Sequence, residues 1–196
     1  MNTLMGVVGL HGSGKGAFGE YLARSHNFTH KDIGQVLRDE LKASGRNYLD
    51  RNEMHAMANE RRTKYGRNYW CKRILDSVKS GDLVITSIHN MGEVDEIVSR
   101  GGVIVEVFAD QKTRFERTVG RVRNDPSKHG DIKSFEEFKA KEEKELRNDD
   151  PSKQQLMDCI NAAKYRIDNN GSLDHLHKEI EELLALLKAK GKLSAT

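Results

Sequence analysis

Gly9-Leu10-His11-Gly12-Ser13-Gly14-Lys15-Gly16 is the stretch that decides how this chain is read. An apolar run (Leu4, Met5, Val7, Val8) precedes it, and Ala17, Phe18, Tyr21 and Leu22 follow at helical spacing. Strand, glycine-rich turn and helix in that order form the context of a phosphate-binding P-loop. Glycines let backbone N–H groups close on phosphate oxygens without Cβ clashes, and the new helix points its positive end at the anion. His11, Gly12, Ser13, Gly14, Lys15, Gly16 and Ala17 are therefore the expected nucleotide-binding residues, with the Lys15 ammonium reaching the outer phosphates. The pattern has one departure: Gly16 stands where a Ser or Thr hydroxyl normally holds Mg2+, and Ala17 supplies none either. The metal must then rest on phosphates, water and other side chains, so no metal ligand is assigned.

The 196 residues suffice for one α/β domain, 1–196, with a substantial core. With 36% hydrophobic and 32% charged residues the composition is that of a soluble globular protein. The sequence has no run of ~20 apolar residues and no basic-then-apolar leader, so a cytoplasmic location is expected and a membrane partner is not. Thirty-three basic against 30 acidic residues, net +3, is too even a balance to argue for nucleic acid. Cys71 and Cys159 are far apart in sequence and read as reduced structural thiols.

Apolar runs at 4–8, 83–88 and 103–108, with short segments at 27–31 and 165–168, predict five strands. Helical spacing predicts helices over 15–25, about 33–44, 51–65, 68–79, the segment of Val94 and Ile97, that of Phe115 and Val119, 135–147, 152–163, and from Leu173 onward. Strands alternating with helices imply a three-layer α/β/α fold around a five-stranded parallel sheet. Ligands on such sheets bind at the carboxyl ends of the strands. That directs attention to Asp32, to Thr86–Asn90 and to Ala109-Asp110. Asp32 can orient a nucleophile or contact a metal through water, or cap the next helix. His89 can hydrogen-bond a phosphate or a base, or lie in solvent. Arg114, Arg117 and Arg121 recur at three and four residues and share a helix face, with Arg123 beyond them. Asn124–Ser134 is polar and glycine-containing and reads as a mobile segment. The leucine stripe of the last helix (Leu173, Leu176, Ile180, Leu183, Leu184, Leu187) reads as core rather than a dimer seam, and Ser172 as its cap.

The loop, the strand–helix order and the run Gly34-Gln35-Val36-Leu37-Arg38 together resemble the nucleoside monophosphate kinases and dephospho-coenzyme A kinases, in particular an adenylate-kinase-related archaeal and bacterial group. The resemblance spans Leu4 to about Leu187. It implies a P-loop kinase of the nucleotide-kinase type, with an acceptor-binding arm over about 34–80 and a lid over about 120–135. It implies ATP (or GTP) and Mg2+, a phosphorylated nucleotide-like acceptor, and a monomer or homodimer. Lys15, Asp32, Arg117 and Arg121 become the catalytic residues. Arg117 and Asn170 join the nucleotide-binding set, Asn170 in the turn that meets the donor's base. Asp32, Arg38, His89 and Arg123 take the acceptor. Gln35 replaces the family's acidic residue, and the Asp near Thr86 and the Arg near His89 are both missing. Two other readings stand beside this one. In the first, the chain phosphorylates a hydroxyl in DNA or RNA, since Tyr65, Tyr69 and Trp70 lie among basic residues. In the second, it is a nucleotide-binding regulator with little turnover.

Overall fold

The computed structural model describes residues 3–124, 134–146 and 153–193. All but the end residues of the expected mobile segment and most of the expected lid lie outside the described residues, as does the side chain of Arg123.

Five strands, β1 (Leu4–Val8), β2 (Thr29–Asp32), β3 (Leu83–Thr86), β4 (Val103–Phe108) and β5 (Tyr165–Asp168), form one sheet in the order β2-β3-β1-β4-β5. All four pairings are parallel, with Gly6 opposite Ile85 on one side of β1 and Ile104 on the other. β1 is central and buried throughout, as its unbroken apolar run requires. Its side chains alternate between faces. Met5 and Val7 pack with Phe18 and Leu22 of α1 (Lys15–Ser25) and with Leu176, Ile180 and Leu187 of α9 (Leu173–Ala189). Leu4 and Val8 face the other core, built from α2 (Ile33–Ala43), α3 (Arg51–Tyr65), α4 (Tyr69–Ser77), α5 (Met91–Ser99) and α8 (Leu156–Asn161). The remaining helices, α6 (Gln111–Asn124) and α7 (Phe135–Leu146), pack together through Phe115 against Phe135 and Phe138, with ring centroids 5.5 and 5.8 Å apart.

The three-layer parallel fold is as the sequence implies, and three local expectations need correction. Strand β3 stops at Thr86 rather than running to 88, because Ser87 takes a left-handed φ of 63° and turns its hydroxyl toward Asp32. The helix expected over 152–163 covers only Leu156–Asn161, because the chain before it is tied to the β3–α5 turn: Gln155 N–H donates to the His89 carbonyl at 2.7 Å. Leu173, expected on the buried stripe of α9, is exposed at the helix start. The other stripe residues are buried, and Ser172 caps the helix by accepting from His175 N–H at 3.2 Å. Cys71 and Cys159 are both buried free thiols, with burial raising the pKa of each.

Candidate functional site

The loop after β1 takes the shape its glycines allow. Gly9, Gly12 and Gly14 all have positive φ, and Gly14, at 104°, is the N-cap of α1. A Cβ on Gly14 would lie 2.1 Å from Nδ2 of Asn169, so the position must be glycine for the loop to meet the β5–α9 turn. Asn169 is buried and donates from Nδ2 to the Ser13 carbonyl at 2.7 Å. Sequence reading singles out its neighbour Asn170 instead. Asn170 accepts from Asp110 N–H at 2.7 Å and so ties the β4–α6 turn to the β5–α9 turn.

Lys15 opens α1 and folds back over the loop, its Nζ donating to the carbonyls of Gly9 and Leu10 at 2.8 and 3.0 Å. Burial lowers its pKa to about 8; Asp32 opposes the shift, and the guanidinium charges of Arg121 and Arg114 assist it. Lys15 is thus an ammonium short of counter-charge, which an anionic phosphate would supply. The Ser13 hydroxyl is buried and has no hydrogen-bond partner. Gly16 is exposed, with no atom within 4 Å of where its Cβ would stand.

Asp32 sits at the carboxyl end of β2, two strands from the loop, and caps α2 by accepting from Gln35 N–H at 2.8 Å. Its other oxygen accepts the hydroxyls of Thr86 at 2.8 Å and Ser87 at 2.5 Å. Because the Thr86 proton goes to Asp32, the contact at 3.0 Å from His30 Nε2 makes that nitrogen the donor to Thr86 Oγ1. Burial lowers the His30 pKa. Three donors, the Gln35 amide of α2 and the hydroxyls of Thr86 and Ser87 at the end of β3, therefore fix the Asp32 carboxylate within electrostatic reach of Lys15. Arg38 lies 3.8 Å from the first Asp32 oxygen and takes the Gln35 side-chain oxygen at 3.2 Å.

The arginines of α6 divide by partner. Arg114 is buried, donates to the carbonyls of Ala109 and His11 at 2.9 and 3.3 Å, and pairs with Glu142 of α7, so it braces the loop from behind. Arg117 donates to the carbonyls of Asn169 and Gly171 at 2.7 and 3.0 Å and holds the β5–α9 turn. Arg121 is exposed, its charge acting on Lys15. Leu10 and His11 line a narrow cleft with Arg51, Phe138, Lys141 and Glu142.

Between α3 and the β3–α5 turn lies a buried network whose arginine sequence reading left in the general basic character of the arm. Arg62, with its side chain 2% exposed, donates from Nε and Nη2 to one oxygen of the fully buried Glu93, at 3.1 and 2.9 Å. The other Glu93 oxygen accepts the backbone N–H groups of His89 and Asn90 at 3.0 and 3.2 Å, closing a capping box at the start of α5. Asn90-x-x-Glu93 is the one sequence signal that could have found this network. His89 is held well below the usual histidine pKa, first by burial and then by the charges of Lys15, Arg62, His55 and Arg51. The structure thus brings Lys15, Asp32, Arg121, His89, Arg38 and the loop to one edge of the sheet, while Arg117 and Asn170 serve the turn beside it.

Residues 5–148 match the family model AAA_18, described as AAA domain. The chain belongs to this family. A UPF0200 protein of Thermoplasma volcanium (TV0279) is 30% identical over 181 residues, covering 91% of this chain and 94% of that protein, which places the chain in the UPF0200 group as well. A UPF0200 protein of Methanothermobacter thermautotrophicus is 27% identical over 198 residues, covering 98% of this chain and 95% of that protein. Among solved structures, a shikimate kinase from Acinetobacter baumannii in complex with shikimate superposes with a TM-score of 0.59 at 17% identity, over 96% of this chain and 94% of that one. A gluconokinase from Sinorhizobium meliloti gives 0.55 at 17% identity, over 96% and 95%. These likenesses establish a P-loop kinase fold. Among the described residues no helix is long and apolar enough to cross a membrane.

Proposed function

We propose that this chain transfers the γ-phosphoryl group of ATP, or of GTP, to a small nucleotide or nucleotide-like acceptor, as the nucleoside monophosphate and dephospho-coenzyme A kinases do. The observation that carries this reading is the placement of Lys15, in the loop that follows β1, and Asp32, ending β2, at the carboxyl side of one sheet, where the Asp32 charge acts on Lys15 and each side chain is held by loop or strand contacts. The loop amides from His11 to Ala17 and Lys15 hold the donor's phosphates, while Arg117 and Asn170 shape the turn that receives its base. Arg121 faces the transferring group, where a fixed guanidinium stabilises the charge that develops. Asp32 orients the attacking oxygen, and Arg38, His89 and Arg123 serve the acceptor. Mg2+ would neutralise the phosphate oxygens and, lacking a loop hydroxyl, would lean on Asp32 through water. We read the chain as one domain, 1–196, with the acceptor arm at about 34–80 and the lid at about 120–135, acting in the cytoplasm as a monomer or homodimer.

ADP release is the assay: ATP is offered with each ribo- and deoxynucleoside monophosphate and with dephospho-coenzyme A. Turnover with one acceptor, lost in Lys15→Ala, supports the reading. ATP binding with no transfer to any acceptor selects the regulator instead, and transfer to a short DNA or RNA oligonucleotide selects a polymer substrate.

A further inference from the structure

Gly19 lies buried in the interior of α1, where glycine weakens a helix relative to alanine. Its backbone does not need glycine, since its φ is not positive. A neighbouring ring does. A Cβ at this position would stand 2.4 Å from Nε2 of His30, and 2.5 and 2.7 Å from Cδ2 and Cε1 of the same imidazole. Nε2 is also the atom 3.0 Å from Thr86 Oγ1. Thr86 is fully buried and pairs with Asp32 across the β2–β3 ladder. Its hydroxyl has one proton and two neighbours able to take it, Asp32 Oδ2 at 2.8 Å and a His30 Nε2 that lacks a hydrogen. His30 and Asp32, two residues apart, project from one face of β2, and Lys15 shares a face of α1 with Gly19. The ring thus lies between the helix that carries the lysine and the strand that carries the aspartate.

We infer that His30 is a positioning residue for the transfer: its Nε2–H donates to Thr86 Oγ1, commits the Thr86 proton to Asp32 Oδ2, and so holds the carboxylate in one orientation. The part played in transfer rests on the kinase reading above; the order of protons does not. Burial lowers the His30 pKa, so near neutral pH the ring is uncharged and its tautomer decides the direction of the chain. With the hydrogen on Nδ1 instead, Thr86 would give its proton to Nε2 and set its oxygen against Oδ2, lone pair to lone pair. In the inferred order Oδ2 accepts two hydroxyls, from Thr86 and Ser87, and Oδ1 accepts the Gln35 amide. Of the about four acceptor positions of a carboxylate, one then stays open, on Oδ1, the oxygen 3.8 Å from Arg38. A single open position suits the orienting of one donor, the attacking hydroxyl or a metal-bound water. Gly19 leaves the ring the room this order requires.

The test reads the ring nitrogens of His30 by long-range proton–nitrogen NMR in the full-length protein without ligand. The wild type should show the Nε2–H tautomer. Asp32→Asn keeps its oxygen on the Gln35 amide and turns an NH2 toward Thr86, so the Thr86 proton should reverse onto Nε2 and His30 should change to the Nδ1–H tautomer. A wild-type Nδ1–H ring, or a tautomer unmoved by Asp32→Asn, overturns the order of protons. Kinetics with an acceptor that is turned over read the positioning role. His30→Phe fills the space without a donor and should lower kcat roughly three- to tenfold, the worth of one neutral hydrogen bond, with KM for ATP within about twofold. His30→Gln returns a donor near Nε2 and should recover most of the loss. Gly19→Ala strengthens the helix but displaces the ring, and should match His30→Phe, which covers the case in which His30→Phe does not fold. Unchanged kcat in both His30→Phe and Gly19→Ala, no recovery in His30→Gln, or a rise in KM for ATP matching the fall in kcat overturns the role. If no acceptor is turned over, the kinase reading fails and the positioning role with it, while the tautomers still decide the order of protons.

Discussion

Removing Glu93 should be far more damaging than its lack of any exposed surface suggests. Its two oxygens accept four N–H groups, two from Arg62 and two from the backbone of the β3–α5 turn. Glu93→Ala leaves a guanidinium buried at 2% exposure without its counter-charge, which costs about 3–5 kcal/mol. Loss of the capping box adds about 0.5–2 kcal/mol. A total of roughly 3.5–7 kcal/mol is a large part of the ~5–15 kcal/mol by which domains are stable. Urea unfolding followed by circular dichroism reads it directly. With a slope of about 2 kcal/mol per molar, the midpoint should fall by about 2–3.5 M. The double variant Arg62→Met/Glu93→Leu, which removes both charges, should lose much less than the sum of the two single changes. A Glu93→Ala cost under about 1 kcal/mol, or singles that add to the double within about 0.5 kcal/mol, would show that water screens this pair and that the turn is held some other way.

Lys15→Met should raise stability by about 1–3 kcal/mol at pH 7, because the folded state holds that ammonium at a pKa of about 8 against an unfolded value near 10.5. The unfolded chain binds the extra proton between those values, so wild-type stability rises with pH across roughly 8–10.5, and thermal melts at pH 7 and pH 10.5 should show the variant's advantage disappear. ATP affinity of the wild type should fall as pH rises through 8, and a flat profile from pH 7 to 9 would remove the lysine from the phosphate site. Gly14→Ala must accept a φ of 104° and a Cβ 2.1 Å from Asn169; we expect a cost of about 1–3 kcal/mol and at least tenfold weaker ATP binding by calorimetry. Asp32→Asn keeps an oxygen to cap α2, so it should fold normally while lowering kcat by roughly 10²–10⁴.

The parts legible in the sequence are those in which local pattern and tertiary role coincide. The continuous apolar β1, the glycines that follow it and the periodic α1 all demand one geometry, and the structure has it. Ser172 and Asn90 cap helices by contacts within three residues, which sequence spacing can reveal. What escapes the sequence depends on partners far along the chain. Ser87 looks like one more strand residue until Asp32, 55 positions earlier, turns it out of the sheet. Arg114, Arg117 and Arg121 are equivalent by spacing, yet α7, the β5–α9 turn and Lys15 give each a different neighbour. Asn169 and Asn170 are identical by type, and only the β4–β5 register decides which of them reaches the Ser13 carbonyl. Arg51, His55 and Arg62 lie on one helix face, but a mostly polar helix hides which face points inward.

A crystal structure with AMP-PNP bound measures the central claim most directly. The account predicts the β- and γ-phosphates cradled by the amides between His11 and Ala17, with Lys15 Nζ moved from the Gly9 and Leu10 carbonyls onto phosphate oxygen. A nucleotide bound elsewhere, with Lys15 still on those carbonyls, would contradict it.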